Sequence, residues 1–140
     1  MHNSKIYLDT NVVADIIDET RMNHTISLKL LKYLALNNCN IYISEDMLTT
    51  LYYILKDKKE ILIFFKNLVF IDWNVSAFGL DVIKSATNLS LENSLDLEDV
   101  LQCLCAKQNG CEVLITNDNK FYDCGLEIYK TVEFLDKYDI

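Results

Sequence analysis

Short apolar runs alternate along this chain with segments whose apolar residues recur every three or four positions. KIYL at 5–8 reads as a buried strand entering Asp9, and a helix is predicted from Thr10 or Asn11 with Val12, Val13, Ile16 and Ile17 turned inward. Between 24 and 36, Ile26, Leu28, Leu30, Leu31, Tyr33 and Leu34 fit helical spacing, and Asn37 and Asn38 end the run. IYI at 41–43 is a second strand. Ser44 then makes a good helix N-cap, with Glu45 and Asp46 in the first turn where the helix dipole favours acids. That helical pattern extends to about Asn67, with a break expected near Asp57 to Lys59.

LVFIDW at 68–73 reads as the third strand, 76–87 as a helix and the polar stretch Asn88 to Ser94 as the one long loop. Leu97, Val100, Leu101 and Leu104 fall at i, i+3, i+4 and i+7, which predicts a helix over 96–109 ended by Asn109 and Gly110. EVLIT at 112–116 is a fourth strand and LEIYK at 126–130 a candidate fifth. Such alternation predicts an α/β fold, a three-layer sandwich whose central, mainly parallel sheet of four to five strands has helices on both faces. No shift of composition marks a boundary, so 1–140 reads as a single domain. With no proline in the chain, element boundaries rest on Gly, Asn, Ser and Asp.

A chain of 140 residues can bury roughly two-thirds of its unfolded surface without needing disulfides. The five cysteines, Cys39, Cys103, Cys105, Cys111 and Cys124, form no CxxC pair and lie mostly in apolar runs. They read as reduced core thiols rather than as zinc ligands or a disulfide framework. The N-terminus lacks the pattern of a secretory leader and no run reaches membrane-spanning length, so a cytoplasmic protein with no membrane association is expected. A net charge of −8 argues against a general nucleic-acid coat, since phosphate binding needs Lys and Arg on the contact face. It leaves room for a nuclease, because carboxylates that hold cations look repulsive only until the cation is counted.

In open parallel sheets, ligands gather beyond the carboxyl ends of the strands. Asp9 and Asp118 follow predicted strands at that end, and a helix opening with Asp96, Glu98 and Asp99 can bring further acids to the same edge. Asp96 and Asp99 are three apart and hence neighbours on one helix face. An Asp at a helix start is commonly a simple cap; the joint placement of these acids is what points to Mg²⁺ or Mn²⁺, which prefer oxygen ligands. Such an ion lowers the pKa of a water and neutralises charge developing on a phosphodiester. That chemistry needs neither His2, in the N-terminal tail, nor His24, at a helix start. Asp15, Asp18 and Glu19 read as a solvated helix face. Tyr52, Tyr53, Phe64, Phe65, Phe70 and Trp73 read as core and dimer surface rather than base-stacking platforms. Lys56, Lys58 and Lys59, the one compact basic cluster, read as a solvated helix junction in preference to an RNA phosphate contact.

LDTN (8–11), SEDMLTTLYYIL (44–55), DLEDVLQ (96–102) and LITND (114–118) with Phe121 resemble, in order and spacing, the signature blocks of the PIN-domain family. The resemblance spans nearly the whole chain and is nearest to bacterial PIN proteins whose central block reads roughly D-x-E-D-x-x-Q. It implies Mg²⁺- or Mn²⁺-dependent endoribonucleases akin to the VapC-like toxins, usually homodimeric and held inactive by an antitoxin. By this resemblance Asp9 matches the first acid and Thr10 and Asn11 the polar pair after it. Asp99 matches the acid of the central block, with Asp96 one turn earlier, and Asp118 and Thr116 match the last acid and its hydroxyl partner. Asn117 has no assigned job beyond the turn. The family's usual glutamate after the second strand is replaced by Thr50, and Asp46, one helical turn before it, is a candidate to reach the ions instead.

Two functions of different class follow. One is a metal-dependent endoribonuclease, the toxin of a toxin-antitoxin pair, with Asp9, Asp99 and Asp118 at the reacting centre. The other is a catalytically degenerate PIN domain that binds RNA or a protein. A phosphatase or receiver-like domain is disfavoured, since no Gly-rich phosphate loop is evident among three glycines.

Overall fold

The computed structural model describes residues 3–138, so the expectation for His2 lies outside the described residues. Five parallel strands, β1 (Lys5–Leu8), β2 (Asn40–Ser44), β3 (Asn74–Ser76), β4 (Val113–Ile115) and β5 (Glu127–Tyr129), form one sheet in the order β3-β2-β1-β4-β5. Ile6, Tyr7 and Leu8 of β1 and all of β4 are fully buried. Covered on both faces, these central strands carry continuous apolar runs instead of an alternating pattern.

Strand order also decides where a crevice opens. From β1 the chain moves outward to β2 and β3, then recrosses the sheet to β4 on the other side of β1 and continues to β5. Connections leaving β1 and β4 thus diverge, which makes their carboxyl ends the switch point of the sheet. Right-handed crossovers put the helices that connect β1 to β3 on one face and those between β3 and β4 on the other.

On the first face lie α1 (Thr10–Ile17), α2 (His24–Leu36), α3 (Glu45–Ile54) and α4 (Lys58–Phe64). The Ser44 hydroxyl caps α3 by accepting from the Met47 N–H at 3.2 Å, and the Asp57 carboxylate caps α4 by accepting from the Glu60 N–H at 3.0 Å. The expected break in the long helical pattern therefore falls at residues 55–57. A π-helical turn (Phe65–Val69) and the short α5 (Phe70–Asp72) follow, then α6 (Leu80–Asn93) and α7 (Leu97–Gln108), which pack on each other. The last helix, α8 (Thr131–Lys137), packs against α2.

Two expectations fail between 65 and 94. LVFIDW is not a strand: Phe65, Val69 and Trp73 are buried four residues apart, while Phe70 and Ile71 are 62% and 70% exposed. That is a helical stripe, and a run of apolar residues alone did not distinguish it from a strand. The third strand comes after it, at Asn74–Ser76. Likewise Asn88 to Ser94 is not a loop; α6 runs to Asn93 and ends at Ser94, whose φ of 54° is left-handed. In α6 only Ala86 is buried, so its polar residues are the solvated face of a helix.

A third correction concerns the cysteines. Cys103 and Cys124 are joined in a disulfide, so these two are not reduced thiols. Cys105 and Cys111 are free and buried, and Cys39 is half-buried. The pairing was hidden because it joins α7 to a loop 21 residues on that the fold carries back alongside it.

Candidate functional site

Asp9 follows β1 and caps α1, and the residue is only 6% exposed. Oδ1 accepts from the Thr10 N–H at 2.8 Å; Oδ2 accepts from the Thr116 hydroxyl at 2.7 Å and from Asn11 Nδ2 at 3.3 Å. Burial pushes the Asp9 carboxyl above its usual range and these hydrogen bonds pull it back. Thr116 follows β4, so the bond to Asp9 ties the two central strands together at their carboxyl ends. The same Thr116 Oγ1 accepts from Asn11 Nδ2 at 3.2 Å and from the Asp118 N–H at 3.1 Å. Asp118 itself is exposed, beyond that tie, with one oxygen accepting from the Lys120 N–H at 2.9 Å.

From the other face, Asp96 caps α7 by accepting from the Asp99 N–H at 3.1 Å. Burial, then the charges of Asp96, Asp9, Asp118 and Glu98, push Asp99 up to about 7. The acids expected to converge from separate blocks are therefore close enough to act on one another. Glu98 belongs with them: burial raises its carboxyl, and Asp46 is the strongest of the like charges upon it. Asp46 thus faces the same edge from α3. Thr50, by contrast, turns its hydroxyl back to donate to the Asp46 carbonyl at 3.3 Å, a local bond that leaves the missing glutamate without a direct substitute at that position.

Sequence reasoning counted Glu98 among the acids that its helix can bring to this edge but did not name it as a ligand, and it gave Gln102 no role. In the fold the buried Tyr7 hydroxyl donates to Gln102 Oε1, and Gln102 Nε2 donates to Glu98 Oε1 at 3.4 Å. The glutamine that ends the D-x-E-D-x-x-Q block is thus the link between core and acid. Tyr122, stacked on Phe121 at 5.8 Å, also lies near; burial and then the Asp99 charge raise its hydroxyl.

Two further readings change. Asp15 is not part of a solvated face but is 4% exposed, with Arg21 Nε donating to its Oδ1 at 2.7 Å. Lys58 is taken up by the end of α3, where its ammonium donates to the carbonyls of Tyr52, Tyr53 and Leu55 and lies 5.0 Å from the Tyr52 ring. A lysine bound to the last carbonyls of a helix is a structural cap, which weakens the basic cluster as a phosphate contact.

The donor set suits a hard divalent cation. It is made of carboxylate, hydroxyl and amide oxygens. Among the described residues Arg21–Asp15 is the one ion pair, so Asp9, Asp46, Asp96, Glu98, Asp99 and Asp118 have no basic side chain to neutralise them. Among the described residues no three His, Cys, Asp or Glu side chains lie close enough together to hold a metal ion as a group. An open set of this kind fits Mg²⁺, which keeps several waters and takes few protein ligands.

An acid-lined switch point at the edge of a five-stranded parallel sheet defines the class: an α/β protein whose candidate site is built from carboxylates. The profile of the PIN domain matches residues 6–125, and the chain belongs to the PIN-domain family. It is 36% identical over 143 residues to Ribonuclease VapC1 of Aquifex aeolicus, with 99% of each chain covered. Among solved structures it is similar to Mycobacterium tuberculosis VapC20, a sarcin-ricin loop cleaving toxin, with TM-score 0.69 and 15% identity over 86% of this chain and 95% of that one. A toxin-antitoxin complex from Klebsiella pneumoniae matches with TM-score 0.68 and 17% identity over 90% and 97%. VapBC2 from Rickettsia felis, bound to a fragment of its promoter DNA, matches at 0.66 and 19% over 89% and 96%. Among the described residues no helix is long and apolar enough to cross a membrane.

Proposed function

We propose that this chain is a divalent-metal-dependent endoribonuclease acting in the cytoplasm as the toxin of a toxin-antitoxin pair. The observation that carries the reading is the convergence of Asp9, Asp96, Glu98, Asp99 and Asp118 at one sheet edge with no basic partner among the described residues. The relative named as a ribonuclease supports this chemical class, and the toxin names of the structural neighbours are in keeping with it. Asp9, Asp99 and Asp118 would hold Mg²⁺ or Mn²⁺, with Asp96 and Asp46 as further ligands. When bound, such an ion supplies an acidified water and neutralises charge on the phosphate. The chain's own contribution is orientation: Thr116 and Asn11 fix both the Asp9 carboxylate and the turn that carries Asp118. Thr10 adds its N–H. Binding of the cation would displace the proton that Asp99 holds near neutrality.

A second reading, a PIN domain that binds without cutting, is favoured by Thr50, whose hydroxyl serves its own helix. One assay separates the two: cleavage of a labelled structured RNA in Mg²⁺, Mn²⁺ or EDTA by the parent, Asp9→Asn and Thr50→Glu. Metal-dependent cleavage lost in Asp9→Asn supports the nuclease and shows that Thr50 is tolerated. An inert parent rescued by Thr50→Glu supports the binding module. For partners, the exposed Leu62, Ile63, Phe70 and Ile71 offer an apolar surface to a second copy or an antitoxin, and light scattering of the purified chain tests the homodimer.

A further inference from the structure

Behind the acids lies a buried polar cluster that the reaction just described does not use. Asn117 sits at its centre, between the turn of Asp118, helix α1 and helix α8. Its Oδ1 accepts from the Thr131 N–H at 3.0 Å, and since that N–H can only donate, the amide orientation is set. Nδ2 therefore faces the other way, donating to Asp15 Oδ2 at 3.3 Å and to Thr131 Oγ1 at 3.2 Å. The Asn117 backbone N–H donates to Asn11 Oδ1 at 3.0 Å, and this in turn aims Asn11 Nδ2 at Asp9 and Thr116. Asp15 and Thr131 are 4% and 1% exposed, and Asp15 is paired there with Arg21.

We propose that Asn117 is a positioning residue for the metal-binding acids, held in place by the Asp15–Arg21 pair and acting through Asn11 on Asp9 and through the turn on Asp118. The inference rests on the metal-dependent reading above. Asn117 touches neither ion nor substrate; it sets the spacing between an acid that follows β1 and one that follows β4. Its substitution is expected to weaken metal binding by about 10–100-fold, as for other partners that orient metal ligands.

Mn²⁺ binding by calorimetry, and RNA cleavage resolved into kcat and KM, test this on the parent, Asn117→Ala, Asn117→Asp, Asp15→Asn and the double variant Asp15→Asn/Asn117→Asp. In Asn117→Asp a second carboxylate faces Asp15, whereas in the double variant the amide and carboxylate have exchanged places and the contact is restored. The two proteins that carry Asn117→Asp have the same charge at 117 but differ by the charge at 15, and Asp15→Asn alone measures what the loss of that charge does to metal binding. The expected result is Mn²⁺ affinity and kcat down about tenfold or more in both single variants at 117, KM little changed, and recovery to within about threefold of the parent in the double variant. Parent-like Mn²⁺ affinity in Asn117→Ala overturns the proposal while leaving the nuclease intact. So does a double variant no better than Asn117→Asp, and this arm decides the matter if Asn117→Ala fails to fold. A parent that binds no Mn²⁺ overturns the metal-dependent reading, and the positioning role with it.

Discussion

At the scale of single residues, the acids at this edge lie close enough to raise one another and to work against stability. Asp99 is pushed up to about 7 by burial and by the charges of four neighbours, so without a cation the fold is strained wherever those groups are ionised. Asp99→Asn is therefore expected to raise the melting temperature at pH 8 in EDTA while abolishing metal-dependent cleavage; a lower melting temperature would contradict the repulsion argued here. Tyr7→Phe removes the donor to buried Gln102 and is expected to destabilise by about 1–3 kcal/mol in urea titration, with Glu98 less well held. Asp9, Asp99 and Asp118 were legible because each stands at the end of a predicted strand or the start of a predicted helix. Asp15 and Asn117 were not, because they lie 102 residues apart and an Asp on an amphipathic helix gives no local sign of being buried.

Among elements, α7 and the segment after β4 act as a pair, since each carries acids of the site and the Cys103–Cys124 bond joins them one turn past Asp99. Closing a loop of that length contributes ~3 kcal/mol by restricting the unfolded chain. Dithiothreitol, or Cys124→Ser, is expected to lower the melting temperature and to speed hydrogen exchange over residues 117–125; unchanged values under full reduction would show that the bond contributes nothing. Asp96 has two duties, cap and candidate ligand. Asp96→Ala should be about 1 kcal/mol less stable in EDTA than Asp96→Asn, which also removes the charge beside Asp99 but keeps the cap acceptor, and equal stability of the two would leave Asp96 a ligand alone. The helices with both a cap residue and apolar spacing, such as α3 and α7, were readable in outline. The stretches 68–73 and 88–94 were not, because an apolar run fits strand and helix alike, and a polar run fits loop and solvated helix face alike, until the neighbours decide which side chains are covered.

For the whole molecule, the excess of acid is concentrated where the strand order reverses, and this gives stability a pH dependence of its own. Asp9 and Asp99 are both raised from 3.8 in the folded chain. Between about pH 4 and about pH 7 the folded state then binds more protons than the unfolded state, so unfolding free energy falls as pH rises through that window. Thermal melts in EDTA from pH 5 to 8 are expected to show that decline, and Mn²⁺ to reduce it by binding the ionised carboxylates of the folded state alone. A melting temperature that rises with pH in EDTA would count against the cluster. RNA binding should likewise depend on the cation, since a chain of net charge −8 offers phosphates little else; retention of RNA in EDTA on a filter assay would move weight to the binding module.

Local pattern alone determined that this chain is α/β, that two of its acids follow strands and that others open a helix, because periodicity and capping act over a few residues. Only the tertiary structure decided that β1 and β4 are neighbours, that Glu98 and Asp46 approach the same edge, that Cys103 meets Cys124 and that Asn117 joins Asp15 to Asn11. Each of these is a contact between residues far apart in the chain, settled by the order of strands in the sheet and by which face each crossover covers.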